Sequence, residues 1–332
     1  MSNNQQTPIK VSILVLTYNQ AAYIDDALTG LVDQRTSFPY EIVVGDDCST
    51  DATLARLDDW QRRYPQLVRV LKSPENRGLL PNFIRTFNSC RGEYIAICEG
   101  DDYWTNPHKL QVQADFLDSH PSFSTCIHRV VNYYEDNNTK SLSNGGQKAV
   151  NTIVDLAKSN FITNVSAMFR STYVGNLPQW FESVGTYDYA LHMLNAQHGD
   201  IYYMSKPMAI YRKHAGAIWS RNKASAQLRL SMQVRELLLG HFSEANPQVF
   251  NTLFESYLAC ACALINHLDT DADTDAIISR VQSFKPSLSK SSIMHRCSAA
   301  KHTNPSLRQR INVLLKAVRA TLSKLIPVPK PA

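Results

Sequence analysis

VSILVLTYNQAAYIDDALTGLVDQ, residues 11–34, decides the fold. VSILVLTYN (11–19) is an unbroken apolar, β-branched run, as expected of a strand buried on both faces. In QAAYIDDALTGLVDQ (20–34), Ala22, Ile24, Ala27, Leu28 and Leu31 recur at helical spacing. The pattern then repeats. YEIVVG (40–45) reads as a second strand, and TDATLARLDDWQRRY (50–64) as a helix with Ser49 or Thr50 as its N-cap. VRVLK (68–72) follows as a strand, NRGLLPNFIRTFNSC (76–90) as a loop and helix, and EYIAIC (93–98) as a fourth strand. Strands alternating with helices at this spacing predict βαβ units. The fold class is therefore α/β, with a mostly parallel central sheet flanked by helices.

In such sheets ligands collect beyond the carboxyl ends of the strands, where strand order reverses. TYN, DDCSTD and EGDD each follow a strand directly, so three polar clusters are expected at one sheet edge. The last packs Glu99, Asp101 and Asp102 around Gly100. A helix cap does not explain it, because Asn106 and Pro107 already serve the helix NPHKLQVQADFL and the carboxylates lie several residues upstream. A solvated turn and a cation site remain. The cation would be hard and divalent, Mg²⁺ or Mn²⁺, held by carboxylate oxygen with phosphate completing the shell.

The chain has 332 residues, 44% hydrophobic and 19% charged, which suits a globular protein with one large and one smaller domain. MSNNQQTPIK has no apolar core of the secretory kind, and YLACACALI is too short an apolar run to cross a bilayer. The seven cysteines include no Cys-x-x-Cys pair and are expected to be reduced, mostly as small buried hydrophobes. The formal net charge of +5 hides an asymmetry: eleven basic and no acidic residues follow Asp275, leaving residues 1–275 at −6. YYEDNNTKSLSNGGQKAV (133–150) reads as a surface loop or lid, VSAMFRSTYV (165–174) as a strand with a turn, and TYDYALHMLNAQHG (186–199) as a helix. IYYMSKPMAIYRKH (201–214) reads as two short strands, and from about Ser220 the pattern is helical. The expected division is therefore 1–220 and 221–332, with the boundary near Arg221.

VSILVLTYN, EIVVGDDCSTDAT, ENRGLLPNFIRTFNSCRGEYIAICEGDDYW and YRKHAGAIWS, in this order, resemble the successive motifs of family 2 glycosyltransferases with the GT-A fold, over about residues 9–220. The resemblance implies a Rossmann-like nucleotide-sugar domain. It also implies an inverting transfer of a sugar from a nucleotide-diphosphate sugar, UDP-sugar first, to an acceptor hydroxyl. The family's Asp-x-Asp motif falls on Glu99-Gly100-Asp101, so this chain departs from it in carrying Glu first. The resemblance makes Asp101 the metal ligand, sets Glu99 near the ribose or a metal-bound water, and turns Asp102 to the sugar or to neighbouring loops. Thr17, Tyr18, Asn19, Asp46, Asp47 and Ser49 would form the nucleoside pocket, Tyr18 stacking on the base and Asp47 accepting from a base N–H. Arg77 and Asn82 would reach the diphosphate or sugar, and Asp188 would be the base that takes the acceptor proton. His214 would complete the metal shell, Arg212 and Lys213 would join it in a cationic cluster for the diphosphate, and Trp219 would line or close the site. Each position also has a plainer reading: acids at turns and helix starts for Asp46, Asp51 and Asp188, a solvated Arg77, a structural His214.

SLRQRINVLLKAVRATLSKLIPVP places Leu307, Ile311, Leu314, Leu315, Val318, Leu322 and Leu325 on one helical face and basic residues largely on the others. Two readings stand: a helix docked on an anionic membrane from the cytoplasmic side, or one packed on the body. The first fits a glycan or lipid-linked acceptor in cell-surface polysaccharide or lipopolysaccharide synthesis; nucleic acid is not expected as a partner. A sugar nucleotidyltransferase would need a Gly-rich, Arg-containing loop where LTYNQAAY stands, and no dinucleotide or P-loop motif occurs. A non-catalytic sugar-nucleotide or glycan-binding module is the other alternative, supported only by Glu99.

Overall fold

The computed structural model describes residues 8–143, 145–216, 223–268 and 270–300. They form two compact units, the first reaching Leu253 and the second beginning at Phe254. The expected boundary at Arg221, the position of Trp219 and the basic segment 307–325 lie outside the described residues.

In the first unit the strands are β1 (Val11–Thr17), β2 (Tyr40–Asp46), β3 (Val68–Lys72), β4 (Tyr94–Ile97), β5 (Tyr103–Trp104), β6 (Phe123–His128), β7 (Val131–Tyr134), β8 (Thr139–Leu142), β9 (Val150–Asn151), β10 (Met168–Arg170), β11 (Asp200–Met204) and β12 (Ala209–Lys213). The helices are α1 (Ile24–Val32), α2 (Thr53–Arg63), α3 (Leu79–Phe87), α4 (Lys109–Ser119), α5 (Ile153–Lys158), α6 (Tyr187–Ala196) and α7 (Ala224–Phe242). The main sheet runs β3-β2-β1-β4-β10-β6-β11-β9 and the second β5-β12-β7-β8. β3, β2, β1 and β4 are mutually parallel, as the apolar runs imply; β10 enters antiparallel between β4 and β6, which makes the sheet mixed. Every residue of β1 is buried, and β4 likewise, because helices cover both faces. The core joins β1 and β2 to α1, α2 and α4 through Ile13, Val15, Leu28, Val44, Trp60 and Leu110.

Three local expectations need correcting. Residues 133–150 are not a loop: β7 and β8 form an antiparallel hairpin, and β9 adds to the sheet edge. β8 is exposed throughout, so no apolar alternation marks it. α2 is capped by neither Ser49 nor Thr50; its N-cap is Ala52, while Asp51 Oδ1 accepts from the Thr53 amide at 2.9 Å. α4 starts two residues late, because Asn106 Oδ1 takes the His108 amide at 2.9 Å in a preceding turn.

α8 (Pro247–Ile265) runs into the second unit, which continues with α9 (Asp271–Phe284) and helical residues 290–300. α8 is long and apolar enough to cross a bilayer, but half of it is buried in the protein. Here the expectation of seven reduced thiols fails. Cys262 and Cys297 form a disulfide, their Cα atoms 4.5 Å apart, because the helical segment folds back on α8. Cys48, Cys90, Cys98, Cys126 and Cys260 are free.

Candidate active site

Strand order reverses between β1 and β4, since the chain steps outward through β2 and β3 before returning to β1's other side. The acidic loop lies at that switch point. It stays on β1 after β4 ends: the Cys98 and Gly100 amides donate to the Leu14 and Leu16 carbonyls, each at 3.0 Å. Glycine eases this approach, because a Cβ at position 100 would displace the end of the Gln20 side chain and lie 3.1 Å from Thr17 Cβ.

The three carboxylates then take different surroundings. Asp102 is buried and accepts the Arg212 amide at 2.8 Å through Oδ1, while its Oδ2 has no hydrogen-bond partner. Burial, then the charges of Asp101 and Glu99, push its carboxyl well above the usual range. Asp102 thus braces β12 against the loop rather than facing the open cleft. Arg212 is consumed in the same brace. It is 8% exposed, donates from Nε to the Asp101 carbonyl at 2.9 Å and from Nη2 to Asp26 at 2.9 Å, and lies over the Tyr23 ring at 4.7 Å. The structure does not bring it forward to meet a diphosphate.

Asp101 is the carboxylate at the cleft. Its Oδ2 lies 3.1 Å from Nε2 of His214, which follows β12 and rests against Tyr23, ring centroids 4.7 Å apart. As it stands this is a hydrogen bond, and its length is also about the separation of two adjacent ligands of an octahedral ion at 2.0–2.1 Å. Among the described residues no three His, Cys, Asp or Glu side chains converge as a metal cage. Such a cation would need phosphate and water for its other positions, which is how Mg²⁺ is commonly held at nucleotide sites.

Glu99 turns across the cleft. Its Oε1 accepts from Tyr187 Oη at 2.9 Å and from Asn164 Nδ2 at 3.0 Å. Burial, and next the Asp101 charge, push its carboxyl up to about 7. The second amide hydrogen of Asn164 goes to Tyr187 Oη at 3.1 Å, and its Oδ1 meets His192 Nε2 at 2.9 Å. Burial pushes His192 down to about 3, so it is neutral and Nε2 carries the donated proton. Tyr187 opens α6, and Asp188 follows it. Asp188 Oδ2 accepts from Asn160 Nδ2 at 3.3 Å, and burial raises its carboxyl above the ordinary range. A raised carboxyl is a better proton acceptor, and one at a helix N-terminus keeps its negative charge tolerable.

The loops after β1 and β2 clip together to one side. Asn19, at φ 54°, accepts the Thr50 amide at 2.7 Å through Oδ1 and donates its own amide to Ser49 Oγ at 3.0 Å. Asp46 holds the Ser49 amide at 3.1 Å and its hydroxyl at 2.5 Å. Asp47 takes the Arg77 and Gly78 amides at 2.9 and 2.8 Å, which ties the loop before α3 to the end of β2. Tyr18 is 45% exposed, with its ring face available for stacking, and Thr17 Oγ1 is buried without a partner. Arg77 lies outside, paired with Glu75 at 3.3 Å. Asn82 is buried beneath β2, bonded to the Gly45 carbonyl at 2.8 Å and to Arg85 at 2.6 Å, so it packs α3 on the sheet and is not in the cleft.

Asn164, Tyr187 and His192 were not expected here. Their only sequence signals are polar groups within apolar runs, FITNVSAM and YDYALHML, and the tyrosine's place beside Asp188. Lys109 was also unforeseen. Its ammonium is wholly buried without a hydrogen bond, 3.8 Å from the Trp104 ring centroid, and burial pushes it down to about 7.

The family description "Glycosyl transferase family 2" matches residues 12–177. An uncharacterized protein of Mycobacterium tuberculosis is 40% identical over 213 residues, 63% of this chain and 60% of that one. The chain thus spans about 60% of the length of the curated relatives it matches first. The poly(ribitol-phosphate) beta-N-acetylglucosaminyltransferase TarS of Staphylococcus aureus is 33% identical over 117 residues, 34% of this chain and 20% of TarS. The fold of TarS residues 1–349, solved with UDP-GlcNAc, superposes with a TM-score of 0.60 at 18% identity, covering 91% of this chain and 92% of that one. A mannosyltransferase from Pyrobaculum calidifontis, solved with GDP-Man and Mn²⁺, gives 0.51 at 17% identity, covering 97% and 88%.

Proposed function

Because the chain belongs to family 2 of the glycosyltransferases, we propose that it transfers a sugar from a nucleotide-diphosphate sugar, UDP-sugar first, to a hydroxyl of a cell-surface glycan or lipid-linked glycan. The observation that carries this is the 3.1 Å approach of Asp101 to His214, with Glu99 of the same loop bonded at 2.9 Å to Tyr187, the neighbour of Asp188. TarS, solved with UDP-GlcNAc, supports the donor class, and the Mn²⁺ beside GDP-Man in the mannosyltransferase supports the metal.

The exposed ring of Tyr18 stacks on the base, and the clipped loops 17–19 and 46–49 hold the nucleoside. Asp101 and His214 would hold Mn²⁺ or Mg²⁺, which would supply positive charge to neutralise the leaving diphosphate. Asp188 removes the acceptor proton as the acceptor oxygen bonds the anomeric carbon and the bond to the diphosphate breaks. A single displacement of this kind inverts the anomeric centre. Catalysis is assigned to residues 1–220, and 221–332 to a helical extension. Its basic end would hold the protein peripherally on an anionic cytoplasmic membrane face, near a lipid-linked acceptor.

A panel of nucleotide sugars tested by thermal shift with and without Mn²⁺ checks the reading. The right donor at a hundredfold excess over its Kd stabilises by about 2.7 kcal/mol. Asp101→Asn should abolish the Mn²⁺-dependent part of that shift. A shift that survives Asp101→Asn unchanged would remove Asp101 from the metal site.

A further inference from the structure

Glu99 is the one acidic-loop side chain bonded to the opposite wall. Both of its hydrogen bonds arrive at Oε1, from Tyr187 at 2.9 Å and Asn164 at 3.0 Å, and Oε2 takes none among the described residues. Asn164 is held in turn by His192 at 2.9 Å. Tyr187 and His192 both stand on α6, as does Asp188, whereas Glu99 shares its loop with Asp101. The chain of bonds therefore spans from the loop of the cation ligand to the helix of the base.

The residue types suit this task. Glutamate reaches one methylene further than the aspartate usual at this motif position, far enough to cross to α6. The tyrosine ring is fixed against Phe83, centroids 4.0 Å apart and planes 14° from parallel, so its hydroxyl has a defined place. The asparagine amide has both hydrogens directed, to Glu99 and Tyr187, and its oxygen occupied by His192. His192 touches neither Glu99 nor the cleft directly, and its ring edge packs on Phe169 at 6.3 Å.

We propose that Asn164, Tyr187 and His192 are positioning residues of the transfer reaction: they lock Glu99 to α6 and thereby fix the base Asp188 against the donor loop. This rests on the sugar-transfer reading above. The nucleoside is assigned to loops 17–19 and 46–49 and the cation to Asp101 and His214, and none of the network's hydrogen bonds runs to those side chains. Loosening the network should therefore misplace the reacting groups while leaving nucleotide affinity intact.

The test is steady-state kinetics on the full chain, with the nucleotide sugar identified by thermal shift and with UDP as the binding probe. Tyr187→Phe keeps the stacked ring and removes only the hydroxyl. It should lower kcat roughly ten- to a hundredfold while KM for the donor and Kd for UDP stay within about threefold, as expected of misplacement rather than lost binding. His192→Leu should behave alike, and His192→Gln, which can still offer an N–H to Asn164, should recover most of the loss. If Asp188→Asn alone inactivates the chain while Tyr187→Phe and His192→Leu, each made singly, keep wild-type kcat, the positioning role alone is overturned. If His192→Leu does not fold, Tyr187→Phe decides by itself. Absence of turnover in the wild-type chain with every nucleotide sugar and cation tried overturns the transfer reading, and this proposal with it.

Discussion

Glu99→Gln should make the metal-free protein more stable at pH 8 while impairing it as an enzyme. In the folded chain the Glu99 carboxyl is pushed from 4.5 up to about 7, first by burial and then by Asp101. Between those values the folded state binds a proton more tightly than the unfolded state, so stability falls as the pH rises through the window. The full displacement corresponds to roughly 3 kcal/mol at 1.36 kcal/mol per pH unit. Solvent contact at this part-buried group reduces the usable share to about 1–3 kcal/mol. Glutamine keeps an acceptor for Tyr187 and Asn164 and carries no charge, so it escapes that cost. At about 2–4 °C per kcal/mol for a unit of this size, the variant should melt roughly 2–10 °C higher at pH 8. The gain should fall to a few tenths of a kcal/mol near pH 4.5, where Glu99 is protonated in the folded state and about half protonated in the unfolded one, and should shrink when Mn²⁺ is added at pH 8. Melting curves in EDTA at the two pH values decide it. A variant that melts at or below wild type at pH 8, or a gain equal at both pH values, would refute the electrostatic reasoning.

Three further outcomes follow from the same geometry. Gly100→Ala forces the loop off Thr17 and Gln20, and overpacking of this kind costs about 1–3 kcal/mol; it should lower the melting temperature and the rate together, checked by calorimetry and initial velocities. Lys109→Met removes a buried ammonium whose pKa is depressed from 10.5 to about 7. Wild-type stability should therefore rise between pH 7 and 10, and the variant's advantage, about 1–3 kcal/mol by urea unfolding at pH 6.5, should narrow over that range. Cys297→Ser opens a bridge between residues 35 apart, which in the chain-entropy model is worth about 3–4 kcal/mol to the second unit; faster amide exchange in α9 would register it.

The parallel half of the sheet was legible because strands buried on both faces leave continuous apolar runs, and VSILVLT and YEIVVG are observed almost as read. The β7–β8 hairpin was not, because its outer strand buries nothing and so carries no hydrophobic period. The resemblance, not residue type, set Asp101 and His214 together, and the structure has them 3.1 Å apart although 113 positions separate them. Direction was harder to read than identity. Arg212 is the cation a diphosphate site would want, yet the register of β12 turns its guanidinium to the Asp101 carbonyl and Asp26. Asn82 likewise spends both ends of its amide on β2 and Arg85. The bonds among Asn164, Tyr187, His192 and Glu99 are tertiary, up to 88 residues apart, and no local pattern announces them.

Turnover by Asp188→Asn tests the assigned chemistry most directly. With the identified donor, an acceptor glycan and saturating Mn²⁺, the variant should bind donor as wild type does by calorimetry. It should nevertheless form product at least about 10²-fold more slowly, the loss expected for removing a general base. Wild-type product formation by Asp188→Asn would contradict the assignment of the base and the displacement built on it.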